Sequence, residues 1–186
     1  MQLALLIGIL LSLLLVLCAA SPASQQEASG APATSPEAIP PEVKRLDAWV
    51  GTWDAEVTMM GQTTKGSETC RMECGGYWLV TEHTGSFMGM PFQGKGFTGW
   101  DATKGAYAGT WIDSSGSPMS VFANGQFSKD GKQFTALVDG LDMEGKPARF
   151  EYLSTFPDAK SRSFEIFQLQ GGKKELQMRI RYTKRG

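Results

Sequence analysis

His83 is the single histidine of the chain, so a zinc site or a Ser-His-Asp relay would have to be built around it alone. No G-x-S-x-G motif is present, and no second histidine can act as a ligand. On a strand His83 and Glu82 point to opposite faces, so they cannot serve one reacting group together. The residues predict a structural or solvent-exposed histidine. Axial ligation of a heme is the other chemistry an isolated histidine could offer. Asp139, Asp142 and Glu144 cluster near a turn, but their spacing is not that of a calcium loop, and a solvated turn explains them. We therefore expect no metal site, no cofactor and no catalytic residue.

Three cysteines are present: Cys18, Cys70 and Cys74. Four residues along a regular strand separate the Cα atoms of Cys70 and Cys74 by about 13 Å, whereas a disulfide spans at most about 7 Å. They can pair only if Gly75-Gly76 turns the chain back, and two free buried thiols are the simpler expectation. Gly94-Lys95-Gly96-Phe97-Thr98-Gly99 matches G-x-G-x-x-G literally. That motif cradles a pyrophosphate only between a strand and a helix. Here it sits inside a strand, so the glycines are read as a bend or bulge. The C-terminus is basic (Lys173, Lys174, Arg179, Arg181, Lys184, Arg185). Arg179 and Arg181 alternate with Met178, Ile180 and Tyr182, as on a strand with one charged outer face. Attraction to anionic lipid headgroups is the sharper reading of the same charges.

The elements that must position these residues follow an export segment. An apolar run from Leu3 to Cys18 is broken only by Gly8 and Ser12. It is shorter than the roughly 20 residues of a membrane span and suits the core of a signal peptide. Cleavage after Ala20 fits the small residues there, although Met1-Gln2 carries no basic side chain. Leu15-Val16-Leu17-Cys18 also resembles a bacterial lipoprotein box, with Cys18 as the lipidation candidate and Leu17 where a smaller residue is usual. Soluble export, a lipid anchor and an uncleaved anchor all place the rest outside the cytoplasm: periplasmic, envelope-anchored or extracellular. Residues 21–40 are rich in Ala, Ser and Pro with Ile39 as the one large aliphatic residue. They cannot bury enough apolar surface to offset the entropy of ordering and are expected to form a disordered tether. The domains are thus 1–20, a signal segment; 21–40, the tether; and 41–186, one folded domain.

That domain carries 18 basic and 17 acidic residues, because Glu27 and Glu37 precede it. A charge near +1 leaves no electrostatic footprint for general nucleic-acid binding. Pro41 to Val50 reads as one short helix, with Val43, Leu46, Trp49 and Val50 on one face and Gly51 as its stop. From Trp53 the apolar period is two. About ten strands follow, separated by turns at Gly61, Gly75-Gly76, Asp101–Gly105, Ser114–Pro118, Lys129–Lys132, Met143–Lys146 and Gly171-Gly172. No segment between them is long enough for a crossover helix. The expected fold is all-β, an antiparallel up-and-down meander of about ten strands. Closure into a barrel would remove the exposed edges.

Gly51-Thr52-Trp53, opening the first strand after a short helix, is similar to the G-x-W start of lipocalin-like barrels. A longer series comprises Leu46 to Trp53, Gly75-Gly76-Tyr77-Trp78-Leu79-Val80, Gly89–Gly94, Gly99-Trp100-Asp101 and Tyr107–Ser114. In this order the segments resemble the bacterial family of uncharacterised domains DUF1579, over residues 44 to 184. The resemblance implies a calycin-type barrel and no activity. Lipocalin-like barrels often stack a C-terminal basic side chain on the G-x-W tryptophan, a cation–π contact. For Trp53 the resemblance offers Arg179, Arg181 or Arg185.

The function expected is non-enzymatic: binding of a small apolar or amphipathic ligand inside the barrel. Trp53, Trp78, Phe97, Trp111 and Phe122 are the candidate walls, and Glu82 is the polar group expected to orient the ligand. Two other readings stay open, a filled-core interaction domain at the cell envelope and a hydrolase-type enzyme using Glu82 or Asp113. No nucleic-acid partner is expected, membrane contact is expected only through an N-terminal lipid anchor, and the oligomeric state stays open.

Overall fold

The computed structural model describes residues 38–186. The expected export segment, most of the expected tether and Cys18 lie outside the described residues. Pro41, whose fixed φ suits the first helical position, opens α1 (Pro41–Lys44), which tightens into a 3₁₀ turn over Arg45–Ala48. The expected face of this segment is the one that packs: Val43, Leu46 and Trp49 are buried.

Ten strands follow: β1 (Gly51–Met59), β2 (Gln62–Glu73), β3 (Trp78–Phe87), β4 (Met90–Asp101), β5 (Ala106–Asp113), β6 (Ser120–Phe127), β7 (Gln133–Leu141), β8 (Pro147–Thr155), β9 (Ser161–Gln170) and β10 (Lys173–Lys184). Each pairs antiparallel with the next, and β1 pairs with β10 from Trp53↔Lys184 to Met59↔Met178. The sheet is therefore a closed meander barrel, as the alternating sequence predicts. Every strand pairing and the helical segment lie within Ala38–Gly186, a compact unit that carries its own core.

Alternation assigns the faces. On β1, Trp53 and Ala55 are buried while Asp54 and Glu56 are exposed. The helical segment closes the end of the barrel where β1 begins. Trp49 meets Phe127, Phe134 and Phe156 edge-on, with ring centroids 5.5, 5.3 and 4.5 Å away, the favoured aromatic geometry. Trp53 Nε1 donates to the Trp49 carbonyl at 2.8 Å, and Tyr107 Oη donates to the Glu42 carbonyl at 2.7 Å. The opposite end, where β1 gives way to β2, carries no such plug among the described residues.

The glycines of Gly94–Gly99 mark neither a bend nor a bulge, a correction to the sequence expectation. β4 pairs without a break with β3 and with β5. Gly94 and Gly96 face the interior, and a Cβ on either would run into the Trp111 ring, while one on Gly99 would meet the Trp78 ring outside. The motif is a pair of platforms for two indoles. Cys70 and Cys74 are both free; Cys70 is buried and Cys74 is exposed rather than buried.

The outer wall is laced with ion pairs, among them Arg71–Glu82 at 2.6 Å and Lys95–Glu82 at 2.8 Å. Charges outside and apolar residues inside are the reverse of a membrane-spanning barrel. Among the described residues no helix is long and apolar enough to cross a membrane.

Candidate functional site

The barrel is hollow. A cavity of about 720 Å³ runs from Trp49 at the plugged end to the turns of the open end. Leu79, Phe92, Val138, Phe150, Phe164 and Ile180 supply much of its apolar wall. Their strands alternate, so one side chain in two reaches the interior.

The expected site residues divide. Trp111 and Phe122 line the cavity. Trp111 lies on Gly94 and Gly96, and its Nε1 donates to Asp113 Oδ2 at 3.0 Å. Trp53 points inward but sits below the cavity, 1 % exposed. Trp78 and Phe97 lie on the outer face, 41 % and 39 % exposed. Glu82 is also outside, held by Arg71 and Lys95. Their donation and charge keep its carboxyl at about 2. For Trp78, Phe97 and Glu82 the cause is one register. β3 sends Leu79, Thr81 and His83 inward, so Trp78, Val80 and Glu82 face out, and Phe97, paired with Val80, shares that outer face.

His83 is thus inside and buried, not solvent-exposed, and it belongs to a polar cluster that the sequence did not reveal. The register builds this cluster: Glu68 on β2 is opposite both Trp53 and His83, and Arg162 on β9 is opposite Tyr182 on β10. Arg162 Nη2 donates to Glu68 Oε1. Tyr182 Oη donates to Glu68 Oε2 at 2.9 Å, and His83 Nδ1 lies 3.4 Å from the same oxygen. The Cys70 thiol approaches Oε1 at 3.4 Å. Glu68, His83, Arg162 and Tyr182 all border the cavity.

Burial pushes the Glu68 carboxyl up, but the Arg162 charge and the bonds from His83 and Arg162 outweigh it and hold it at about 2. An ionised carboxylate only accepts, so His83 Nδ1 carries the proton it shares with Glu68. In the neutral ring Nε2 is then left as a lone pair. Burial, reinforced by the Glu68 charge, raises the Cys70 thiol to about 12 and Tyr182 well above its ordinary value. Both shifts favour the protonated form of the group. Burial works against the Arg162 charge, yet Glu68 raises its pKa, so the guanidinium stays charged.

Arg162 also stacks on aromatic rings, its Cζ 4.7 Å from the Trp53 centroid and 3.6 Å from that of Tyr182. It takes the role that the lipocalin-like resemblance offered to Arg179, Arg181 or Arg185. Those three face outward, paired with Glu165 at 2.6 Å, Glu56 at 3.7 Å and Asp54 at 2.7 Å. Lys184 flanks the other contact, 5.2 Å from the Trp53 ring. The missed signal was a charge on an apolar parity: Arg162 shares a face with Phe164 and Ile166, and Glu68 with Cys70.

The sequence profile of "Protein of unknown function (DUF1579)" matches residues 40–184. The chain belongs to the DUF1579 family. No curated protein matches it. Among solved structures, this DUF1579 barrel is similar to the S-type phycobiliprotein lyase CPES from Guillardia theta, with 12% identity and a TM-score of 0.47, over 77% of this chain and 92% of that one. It is also similar to a redesigned β-barrel, with 12% identity and a TM-score of 0.42, over 76% of this chain and 96% of that one.

Proposed function

We propose that this DUF1579 domain is an exported, non-enzymatic binding module that holds a small apolar or amphipathic molecule inside its barrel. One observation carries the reading: the 720 Å³ cavity with apolar walls. Its size lies within the roughly 300–1,000 Å³ of small-molecule sites. A packed core leaves few voids larger than a water molecule, so a hollow of this size weighs against the filled-core alternative. Charged groups border the cavity near the plug, where Glu68, His83 and Arg162 cluster, and Asp113 does so at the open end, while Thr81, Thr98, Thr110 and Tyr152 add neutral polar groups along the wall. That distribution suits a ligand with an apolar body and at least one polar terminus.

The chemistry of the interior supports binding over hydrolysis. A general acid at neutral pH needs a carboxyl whose pKa is raised. Glu68 is held low and accepts from Arg162 and Tyr182, Glu82 lies outside, and Asp113, the candidate that does border the cavity, is engaged as the acceptor of Trp111 and Ser115.

The test is native mass spectrometry of residues 38–186 expressed with an export signal. An added mass that is lost on denaturation is expected, with an environment-sensitive apolar dye displaced by the recovered compound. A clean apo mass together with no saturable dye binding would remove the reading.

A further inference from the structure

The open end of the barrel is built differently from the plugged end, and the difference is methionine. Four of the five hairpin turns at the open end carry exposed, large apolar side chains in or beside the turn: Met60; Met88 with Met90; Met119; and Leu141 with Met143. Met60 and Met88 are each 69 % exposed and Met143 is 66 % exposed. At the plugged end the turns present Asp101, Thr103, Lys104, Lys129, Asp130, Asp158 and Lys160, and Tyr77 and Trp78 are the exposed large apolar residues there.

Two of these methionines sit where the backbone disfavours them. Met59↔Gln62 and Phe87↔Met90 close two-residue turns. Their central residues have positive φ throughout: 51° at Met60, 75° at Gly61, 50° at Met88 and 78° at Gly89. Such turns favour Asn-Gly, Asp-Gly or Gly-Gly. The β9–β10 turn at the same end follows that preference with Gly171-Gly172. A side chain without local hydrogen bonding is disfavoured in this conformation by contact between Cβ and the following carbonyl. Met60 and Met88 are largely exposed, which leaves little packing to offset the strain and points to a use beyond the folded chain.

We propose that the open rim of the barrel inserts its methionines into the surface of a lipid bilayer, so that the cavity opens onto the apolar phase. This rests on the reading of the cavity as a ligand site, and adds where the ligand comes from. The rim is a ring of separate turns around an aperture. A stable protein interface needs a close-packed patch of about 800 Å² per partner, which a ring around an opening does not supply. A fluid phase accommodates it. Charges at the rim largely answer one another: Lys146 pairs with Glu144 at 2.9 Å, Lys174 with Glu151 at 2.6 Å, and Arg149 with Asp139 at 3.3 Å. Insertion is therefore driven by apolar burial and does not need anionic lipid. It is a contact separate from the N-terminal anchor expected from the sequence.

The experiment is flotation of residues 38–186 with phosphatidylcholine vesicles, at low and high salt. The double variant Met60→Asn, Met88→Asn keeps residues that tolerate positive φ, so its turns are relieved rather than broken. Wild type should float at both salt concentrations. The variant should melt no lower than wild type, bind the cavity dye equally in vesicle-free buffer, and partition at least about tenfold more weakly, because two apolar side chains no longer leave water. Equal flotation of wild type and variant, or no flotation of wild type, overturns the inference. Wild type that sediments as a dimer which the variant splits assigns the rim to a second copy and overturns it too. Retained dye binding with lost flotation leaves the cavity reading standing, and retained flotation without dye binding removes that reading alone.

Discussion

Glu68 and Arg162 are each other's reason for being inside the barrel. An unpaired buried charge costs several kcal/mol, and breaking such a pair by removing one partner typically costs about 3–5 kcal/mol. Glu68→Met and Arg162→Met should each destabilise by that order in urea unfolding. The double variant should recover part of the loss, because it leaves no unpaired charge, although Tyr182 and His83 lose their acceptor. A double variant that loses the sum of the singles would show that the two side chains act independently. The pH dependence follows from the lowered carboxyl. Its folded value near 2 lies below that of the unfolded chain, so its contribution is complete above about pH 4.5 and is lost as pH falls toward 2, about 3 kcal/mol in all. Glu68→Gln should flatten the melting temperature between pH 5 and pH 3 relative to wild type. The cluster was only partly legible in the sequence. Alternation placed His83 and Glu82 on opposite faces, but both parities of β3 carry apolar residues, Leu79 on one and Val80 on the other. Choosing the inner face needs the neighbouring strands.

At the scale of elements, the pattern of alternation and turn residues is strong enough to read all ten strands, because each turn breaks a period of two with glycine or a polar cluster. Helix length and strand pairing are weaker signals. The helix over Pro41 to Val50 becomes 3₁₀ after Lys44, where contact with the barrel end replaces helical hydrogen bonding as the organising force. The β6–β7 seam could not be read either. The two strands pair only through Gln126↔Thr135 and Phe127↔Phe134. Beyond that the Asn124 side chain stands in for backbone: Nδ2 donates to the Leu137 carbonyl at 3.1 Å, and Oδ1 accepts from the Leu137 N–H at 2.7 Å. Asn124→Ala removes both bonds at a net cost of about 1–2 kcal/mol. Amide exchange at Leu137 should accelerate well beyond that of Thr135, which keeps its ladder partner. Unchanged protection at Leu137 would mean that the strands close up without the amide. β4 makes a second element-scale test. Gly94→Ala should destabilise because its Cβ meets the Trp111 ring, and Trp111→Leu in the same chain should relieve part of that cost.

For the molecule as a whole, closure through β1 and β10 separates two demands that usually compete. The ladder, the aromatic plug around Trp49 and the outer ion pairs make a shell that stands without a filled centre. That frees the interior from supplying a close-packed core. If the hollow is a ligand site and not a packing defect, filling it should harm binding while sparing stability. Ile166 borders the cavity on β9, between the polar cluster and the open end. Ile166→Trp places an indole in the cavity with no buried backbone to displace, and new apolar contacts there favour the folded state. The expected outcome is a melting temperature equal to or above that of wild type, with dye affinity reduced by about tenfold or more. A variant that melts well below wild type would show that the centre is tighter than its volume suggests. One that keeps full affinity would place the ligand somewhere other than the barrel interior.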